Sequence, residues 1–191
     1  MTEKIVSSLS LAHAKALHLS GITPALSESC FGLTEALFSA VSGSDTLLTF
    51  DINYRPGLWS VDKAGRALLK FAREADILLV GRDKAATLWN TSTAESIRKL
   101  LPEPARLIVK DGHIGATEFN SDGVTFVPAP YVDVVEEIGA GDAFAAGYLS
   151  AVLNEVDTTS ALANGHRCAA RSLSAMGDFN ACQLTDPDVL T

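Results

Sequence analysis

Positive charge is scarce in this sequence: Lys plus Arg number 15 against 23 Asp plus Glu in 191 residues, a formal net charge of −8. No basic block occurs, and the one adjacent basic pair is Arg98-Lys99. Binding the nucleic-acid backbone needs the opposite balance, so a general nucleic-acid partner is excluded. Cysteine is sparse too. Cys30, Cys168 and Cys182 are an odd number with no CxxC spacing, which argues against a disulfide scaffold or a structural zinc site. They fit idle thiols in a reducing cytoplasm. Long apolar runs are missing: no stretch longer than 12 residues lacks Asp, Glu, Lys and Arg. A membrane-spanning helix needs about 20 largely apolar residues, so no membrane partner is expected. Met1 to Ser10 carries charges and serines but no apolar run, so no secretory signal is read there and a cytoplasmic location is expected. No His/Cys/Asp cluster has metal-ligand spacing, no metal ligand is assigned, and no Gly-x-Ser-x-Gly elbow is present.

What is present is globular: 47% of residues are hydrophobic and 20% charged. A chain of this length buries roughly 70% of its unfolded surface, enough for one domain with a sizeable core. Apolar runs alternate in type along it. Ala16 to Leu19 reads as a short strand ending at Gly21. Thr23 as cap and Pro24 in the first turn predict a helix with Leu26, Cys30, Leu33, Leu37 and Ala40 on one face, ended by Gly43. Thr46 to Ile52 is nearly continuous apolar sequence, as in a strand covered on both faces.

The cycle repeats with a helix marked by Val61, Ala64, Leu68, Phe71 and Ala75 and a buried strand over Ile77 to Val80. One or two helices follow over 83–100, broken near Asn90, and then a strand at Leu107 to Val109. Strands joined by helices of this length predict right-handed βαβ units and a parallel sheet. Gly115 to Phe119, Val124 to Pro128 and Tyr131 to Val135 then read as short antiparallel additions at one side. Two helices close the chain. One runs from the Gly139–Asp142 turn to about Asn154, and the other carries Leu162, His166, Ala169, Leu173 and Met176 on one face.

In open α/β sheets ligands bind beyond the carboxyl ends of the parallel strands, so Asp51 to Arg55, Gly81 to Lys84 and Lys110 to Gly115 are the residues to inspect. The sharpest signal lies elsewhere, in Gly139-Ala140-Gly141-Asp142. Two glycines permit a tight turn of convergent N–H groups at a helix start, where an anion or a transferring phosphoryl group is stabilised. Asp142 at its mouth could accept a proton from an attacking hydroxyl. A plain helix start, with glycine for the turn and aspartate for the cap, is the competing reading. A dinucleotide fingerprint fails because Phe144 stands where a glycine is needed, and no Gly-Lys-Ser/Thr follows for a phosphate loop. Asp51, Asn53 and Arg55 alternate and would share a side in extended chain. Arg55 offers a fork for carboxylate or phosphate, and Asn53 an uncharged donor, unless both are a solvated strand exit. Lys110 to Gly115 is either a glycine loop that could lie close to a nucleotide or a generic turn. His166 falls on an apolar stripe, where a core histidine is the default.

The run from Val127 to Tyr148, containing Gly139-Ala-Gly-Asp-Ala-Phe-Ala-Ala-Gly, resembles the C-terminal signature of the ribokinase-like (PfkB) carbohydrate kinases. Phe50 to Trp59 resembles the branch of 2-keto-3-deoxygluconate kinases and related fructokinases, and the likeness extends from about Leu17 to Asp178. It implies a Rossmann-like α/β fold, a mostly parallel sheet with helices on both faces. It also implies ATP-dependent phosphorylation of a sugar hydroxyl, on 2-keto-3-deoxygluconate or a related sugar acid or hexose. By the same resemblance Asp142 is the base and also touches substrate, and Gly139, Ala140 and Gly141 form the anion hole. Asn53, Lys110, Gly112, Gly115 and His166 line the nucleotide. Arg55 and Asp178 meet substrate, and magnesium travels with the ATP phosphates. A homodimer belongs to the full-length form.

Three departures stand out. The family's early strands and β lid have no counterpart, so residues 1–191 are expected to be a single, N-terminally truncated domain of this kind. Where relatives often carry Asn-x-x-Glu after the third strand, this sequence has Gly81-Arg82-Asp83-Lys84, which bears on magnesium handling. Where Asp-Thr-Thr often precedes the glycine turn, it has Glu136-Glu137-Ile138. The alternative from a different class is a non-catalytic remnant that binds nucleotide or associates through an exposed sheet edge.

Overall fold

A computed structural model of the chain describes residues 6, 9, 11–136 and 138–174. The chain divides into two compact units, Met1–Pro128 and Ala129–Thr191. The first is built on a six-stranded sheet whose strands lie side by side in chain order. They are β1 (Ala16–Ser20), β2 (Leu47–Asp51), β3 (Ile77–Gly81), β4 (Arg106–Asp111), β5 (Gly115–Asn120) and β6 (Gly123–Pro128). β1 to β4 are parallel, while β5 and β6 pair antiparallel, as the short, turn-rich segments predict. The connecting helices are α1 (Thr23–Leu26), α2 (Glu28–Val41), α3 (Val61–Glu74), α4 (Arg82–Trp89) and α5 (Ala94–Leu100).

Crossovers of one hand between successive neighbours put their helices on one sheet face, and the core shows it. Phe38 and Val41 of α2, Leu68 and Phe71 of α3, Leu88 of α4 and Ile97 of α5 form one cluster with Leu48, Phe50, Leu78, Val80, Leu107 and Val109. Phe71 is its aromatic hub, with ring centroids 5.4 Å from Phe31, 4.9 Å from Phe38 and 5.7 Å from Phe50. Ile77, Leu79 and Ile108, which alternate with those strand residues, are buried as well. The central strands are therefore apolar on both faces, which accounts for their unbroken hydrophobic runs.

Two expectations are corrected. The helix predicted from Thr23 is two helices, because Ser27 is fully extended (φ −167°, ψ 166°) and its side chain caps α2 by accepting from the Cys30 N–H. Thr23 is thus the first residue of the short α1 rather than the cap of a long helix. Tyr131 to Val135 forms no strand. Pro128 and Pro130 precede it and cannot donate to a ladder, Tyr131 is exposed, and the Val135 N–H donates instead to Leu173 O. The predicted break near Asn90 is present and closes α4 in the left-handed conformation (φ 54°), while Met176, expected on the face of the last helix, lies outside the described residues.

The described helices of the second unit are α6 (Ala140–Leu153) and α7 (Thr158–Leu173), packed closely on each other. The Asn164 amide donates to Gly147 O at 2.7 Å, and a Cβ on Gly147 would lie 2.6 Å from Cys168 Sγ. Asp157 caps α7 by accepting from the Ser160 N–H.

Candidate functional site

Three loops of the first unit emerge from the carboxyl ends of β2, β3 and β4. β2 ends at Asp51 and the extended run stops there, since Asn53 adopts a left-handed φ of 33°. The alternation expected to place Asp51, Asn53 and Arg55 on one side therefore does not hold. Asp51 is buried, Asn53 half-buried and Arg55 exposed. Asn53 keeps its unusual backbone because its N–H donates to Asp51 Oδ1 at 3.2 Å, a local bond that aspartate makes two residues on.

The other carboxylate oxygen, Asp51 Oδ2, accepts from Lys110 Nζ at 2.6 Å. β3 lies between β2 and β4, so this pair crosses the end of a strand and ties two loops that are not neighbours. Through Asp51 the structure brings Asn53 and Lys110 together. Gly112 (φ 51°) and Gly115 belong to the tight hairpin between β4 and β5, closed by the Ile114 N–H on Asp111 O.

After β3, Arg82 Nε lies 2.7 Å from Asp111 Oδ2, and Lys84 Nζ lies 2.8 Å from Asp83 Oδ2. Desolvation works to raise the Asp83 pKa. The hydrogen bond and charge of Lys84, with backbone N–H groups, outweigh it and hold the carboxyl below its ordinary range. The Arg82–Asp111 and Asp51–Lys110 pairs were not individually legible in the sequence. The one available signal was position, since each member stands at or just after the end of a buried strand.

In the second unit, Gly139 is left-handed (φ 81°) and caps α6 without a side chain, so Asp142 is the third residue of the helix and not its cap. Gly139 itself offers no side chain to the α6 N-terminus, where the positive end of the helix dipole stands. Asp142 is exposed in that first turn. Two residues on, the Phe144 ring stacks with Tyr148 and meets His166 edge-on at 5.2 Å. His166 is buried against that ring, as a stripe residue should be. Asp178 lies outside the described residues.

Magnesium is expected to come with the phosphates. Among the described residues no group of three or more His, Cys, Asp or Glu could hold a metal ion. A groove of about 470 Å³ at the opposite end of the sheet, lined by Arg98, Arg106 and Asn120 to Asp122, is distant from the strand carboxyl ends. Its guanidiniums serve the fold, Arg98 bonding Leu101 O and Pro104 O and Arg106 pairing with the buried Glu118. Among the described residues no helix is long and apolar enough to cross a membrane.

Comparison with known proteins agrees with these features. The family description "pfkB family carbohydrate kinase" matches residues 2–185. A 2-dehydro-3-deoxygalactonokinase of Haloferax volcanii is 33% identical over 170 residues, covering 87% of this chain and 54% of its own. A 2-dehydro-3-deoxygluconokinase of Haemophilus influenzae is 31% identical over 168 residues, covering 83% and 53%. The chain thus spans about half the length of the curated relatives it matches. The crystal structure of a PfkB protein from Polaromonas superimposes with a TM-score of 0.84 at 26% identity, over 93% of this chain and 59% of that one. The fold is the ribokinase-like one, and the chain belongs to the pfkB family of carbohydrate kinases.

Proposed function

We propose that this chain is the catalytic and nucleotide-binding part of an ATP-dependent kinase that phosphorylates a hydroxyl of 2-keto-3-deoxygluconate or a related sugar acid or hexose. The observation that carries the reading is the Gly139–Asp142 turn. A left-handed glycine cap opens α6 on backbone N–H groups, and a carboxylate stands three residues in. Gly139, Ala140 and Gly141 would stabilise charge on the transferring phosphoryl group, and Asp142 would take the proton of the attacking hydroxyl and contact the sugar. Asn53, Lys110, Gly112, Gly115 and His166 would serve the nucleotide, and Arg55 and Asp178 the substrate. The two deoxy-keto-sugar kinases at 31–33% identity support the sugar class. Magnesium is taken to arrive on the ATP phosphates, and no step is assigned to it. Residues 1–191 are read as one domain of this kind, acting in the cytoplasm and, in the full-length form, as a homodimer.

A second reading, a nucleotide-binding or edge-associating chain without turnover, is favoured by one observation. β1 is the terminal strand of the sheet and pairs only with β2 among the described residues. One assay separates the two. Phosphorylation of 2-keto-3-deoxygluconate by ATP should be measurable, and Asp142→Asn should lower kcat by about a hundredfold or more with an unchanged melting temperature. Equal turnover by Asp142→Asn would remove Asp142 as the base. ATP binding without any turnover would favour the second reading.

A further inference from the structure

The rim formed by the carboxyl ends of β2, β3 and β4 carries three carboxylates, Asp51, Asp83 and Asp111, and each already holds a cation. Lys110 sits 2.6 Å from Asp51, Lys84 2.8 Å from Asp83 and Arg82 2.7 Å from Asp111. A magnesium ion needs near-octahedral oxygen ligands at about 2.1 Å and surrenders its water reluctantly. To be held by this rim it would have to displace an ammonium or a guanidinium from a carboxylate. The donor set therefore fits an anion better than a divalent cation. With Arg55 the rim counts four cations against three carboxylates, in a chain whose net charge is −8.

Arg82 and Lys84 are the members placed to receive a ligand. Their side chains are 41% and 34% exposed, while Lys110 is tied into the buried Asp51 and is 18% exposed. The contact of Arg82 with Asp111 is one of charge rather than alignment, because its buried Nε has no hydrogen-bond partner of acceptable geometry, and its one hydrogen bond is a long one from Nη1 to Ser92 O at 3.3 Å. A guanidinium so placed can turn its donors to phosphate oxygens, which it matches well.

We propose that this chain holds the polyphosphate arm of its nucleotide through Arg82 and Lys84, with no divalent ion kept by the rim, so that its affinity for ATP depends little on magnesium. The proposal rests on the nucleotide reading above and specifies how that nucleotide is held. Asp83 and Asp111 would position the two cations in the absence of ligand and release them to phosphate on binding.

The test is calorimetric titration of the whole chain with ATP, once in magnesium buffer and once in excess EDTA, for the native protein and for Lys84→Gln, Lys84→Glu and Arg82→Gln. The native Kd should change by less than about threefold between buffers, while each variant weakens about tenfold in EDTA. In Lys84→Glu part of that loss should return when magnesium is present, because the new carboxylate beside Asp83 supplies oxygen ligands. A native Kd that rises more than about tenfold on removing magnesium would overturn the proposal, because the ion would then be a working part of the site. Native affinity in both glutamine variants would overturn it by a different route, clearing Arg82 and Lys84 of any role. Absence of ATP binding by the native protein in both buffers would overturn the nucleotide reading itself, and this inference with it. Lys84→Gln removes the charge without adding repulsion, so it keeps the test decisive if Lys84→Glu fails to fold.

Discussion

Asp51→Asn is the most informative single change to the fold of the first unit. Its two oxygens do separate jobs, Oδ2 accepting from Lys110 Nζ at 2.6 Å and Oδ1 from the Asn53 N–H at 3.2 Å. Asparagine keeps an acceptor for Asn53 but removes the charge opposite Lys110. Breaking a buried ion pair by deleting one partner costs about 3–5 kcal/mol, because the other charge stays behind unpaired. Lys110 is not fully enclosed: its side chain is 18% exposed against 5% for Asp51, and a flexible ammonium can swing toward water. The expected loss is therefore at or below the bottom of that range, about 2–3 kcal/mol, or about 5–10 °C in Tm for a chain of this size. Thermal melts followed by circular dichroism should show it. The discriminating measurement is the double variant Asp51→Asn/Lys110→Met, in which no charge is left stranded. It should recover at least half of the loss, since a neutral pair of similar volume is often as stable as the ion pair. If instead the two single losses simply add, the residues are not coupled and the clamp across β3 contributes nothing.

Phe71→Ala should destabilise by about 3–5 kcal/mol, since it empties the centre of a four-ring cluster; urea denaturation with a shift below about 1 kcal/mol would show that the cluster repacks. Gly21→Ala should prevent normal folding of β1 against β2, because a Cβ there would overlap Ile52 O and lie 2.8 Å from Leu68 Cδ2; soluble expression with a native melt would refute that close approach. Asp83 and Asp157 both have folded pKa values depressed below their ordinary 3.8. For Asp83 the bonds to Lys84 prevail over desolvation, and for Asp157 the hydrogen bonds with Ser160 are the cause. A depressed carboxyl stabilises the fold above its unfolded pKa, and that contribution is lost as pH falls through the folded value. Stability should therefore fall below pH 3.8, and Asp157→Asn, which still caps α7, should flatten that acid limb while leaving the melt at neutral pH nearly unchanged. An unaltered acid limb would show that the cap does not titrate with folding.

The parallel part of the sheet was legible because burial on both faces leaves a strong mark. Ile77 to Val80 and Leu107 to Val109 are uninterrupted apolar runs, and no surface strand tolerates that composition. The helices were legible wherever one face alone is buried, as along Ala64, Leu68 and Phe71. The errors fall where a local side-chain bond competes with periodicity. The 4, 3, 4, 3 spacing from Leu26 to Ala40 passes straight through Ser27, whose hydroxyl instead starts a new helix at Glu28. Tyr131 to Val135 reads as a short strand, yet the prolines before it and an acceptor at the end of α7 remove it from any ladder.

The rim was legible as a set of positions at the ends of buried strands but not in its couplings, and the reason is geometric. Sequence spacing describes contacts within one element, whereas the rim of this sheet is assembled from the ends of three strands. Asp51 and Lys110 are 59 positions apart and separated in space by a strand that belongs to neither. No periodicity connects them, so Asp51 read as one polar residue after an apolar run, when it fixes both a left-handed asparagine and a lysine. The same holds for Arg82 and Asp111, which β3 and β4 bring together from 29 positions apart. Gly139 to Asp142 was legible for the opposite reason. A glycine cap and a carboxylate three residues into the helix are set by consecutive residues, so local chemistry alone specifies their arrangement. A family signature survives best in such local segments.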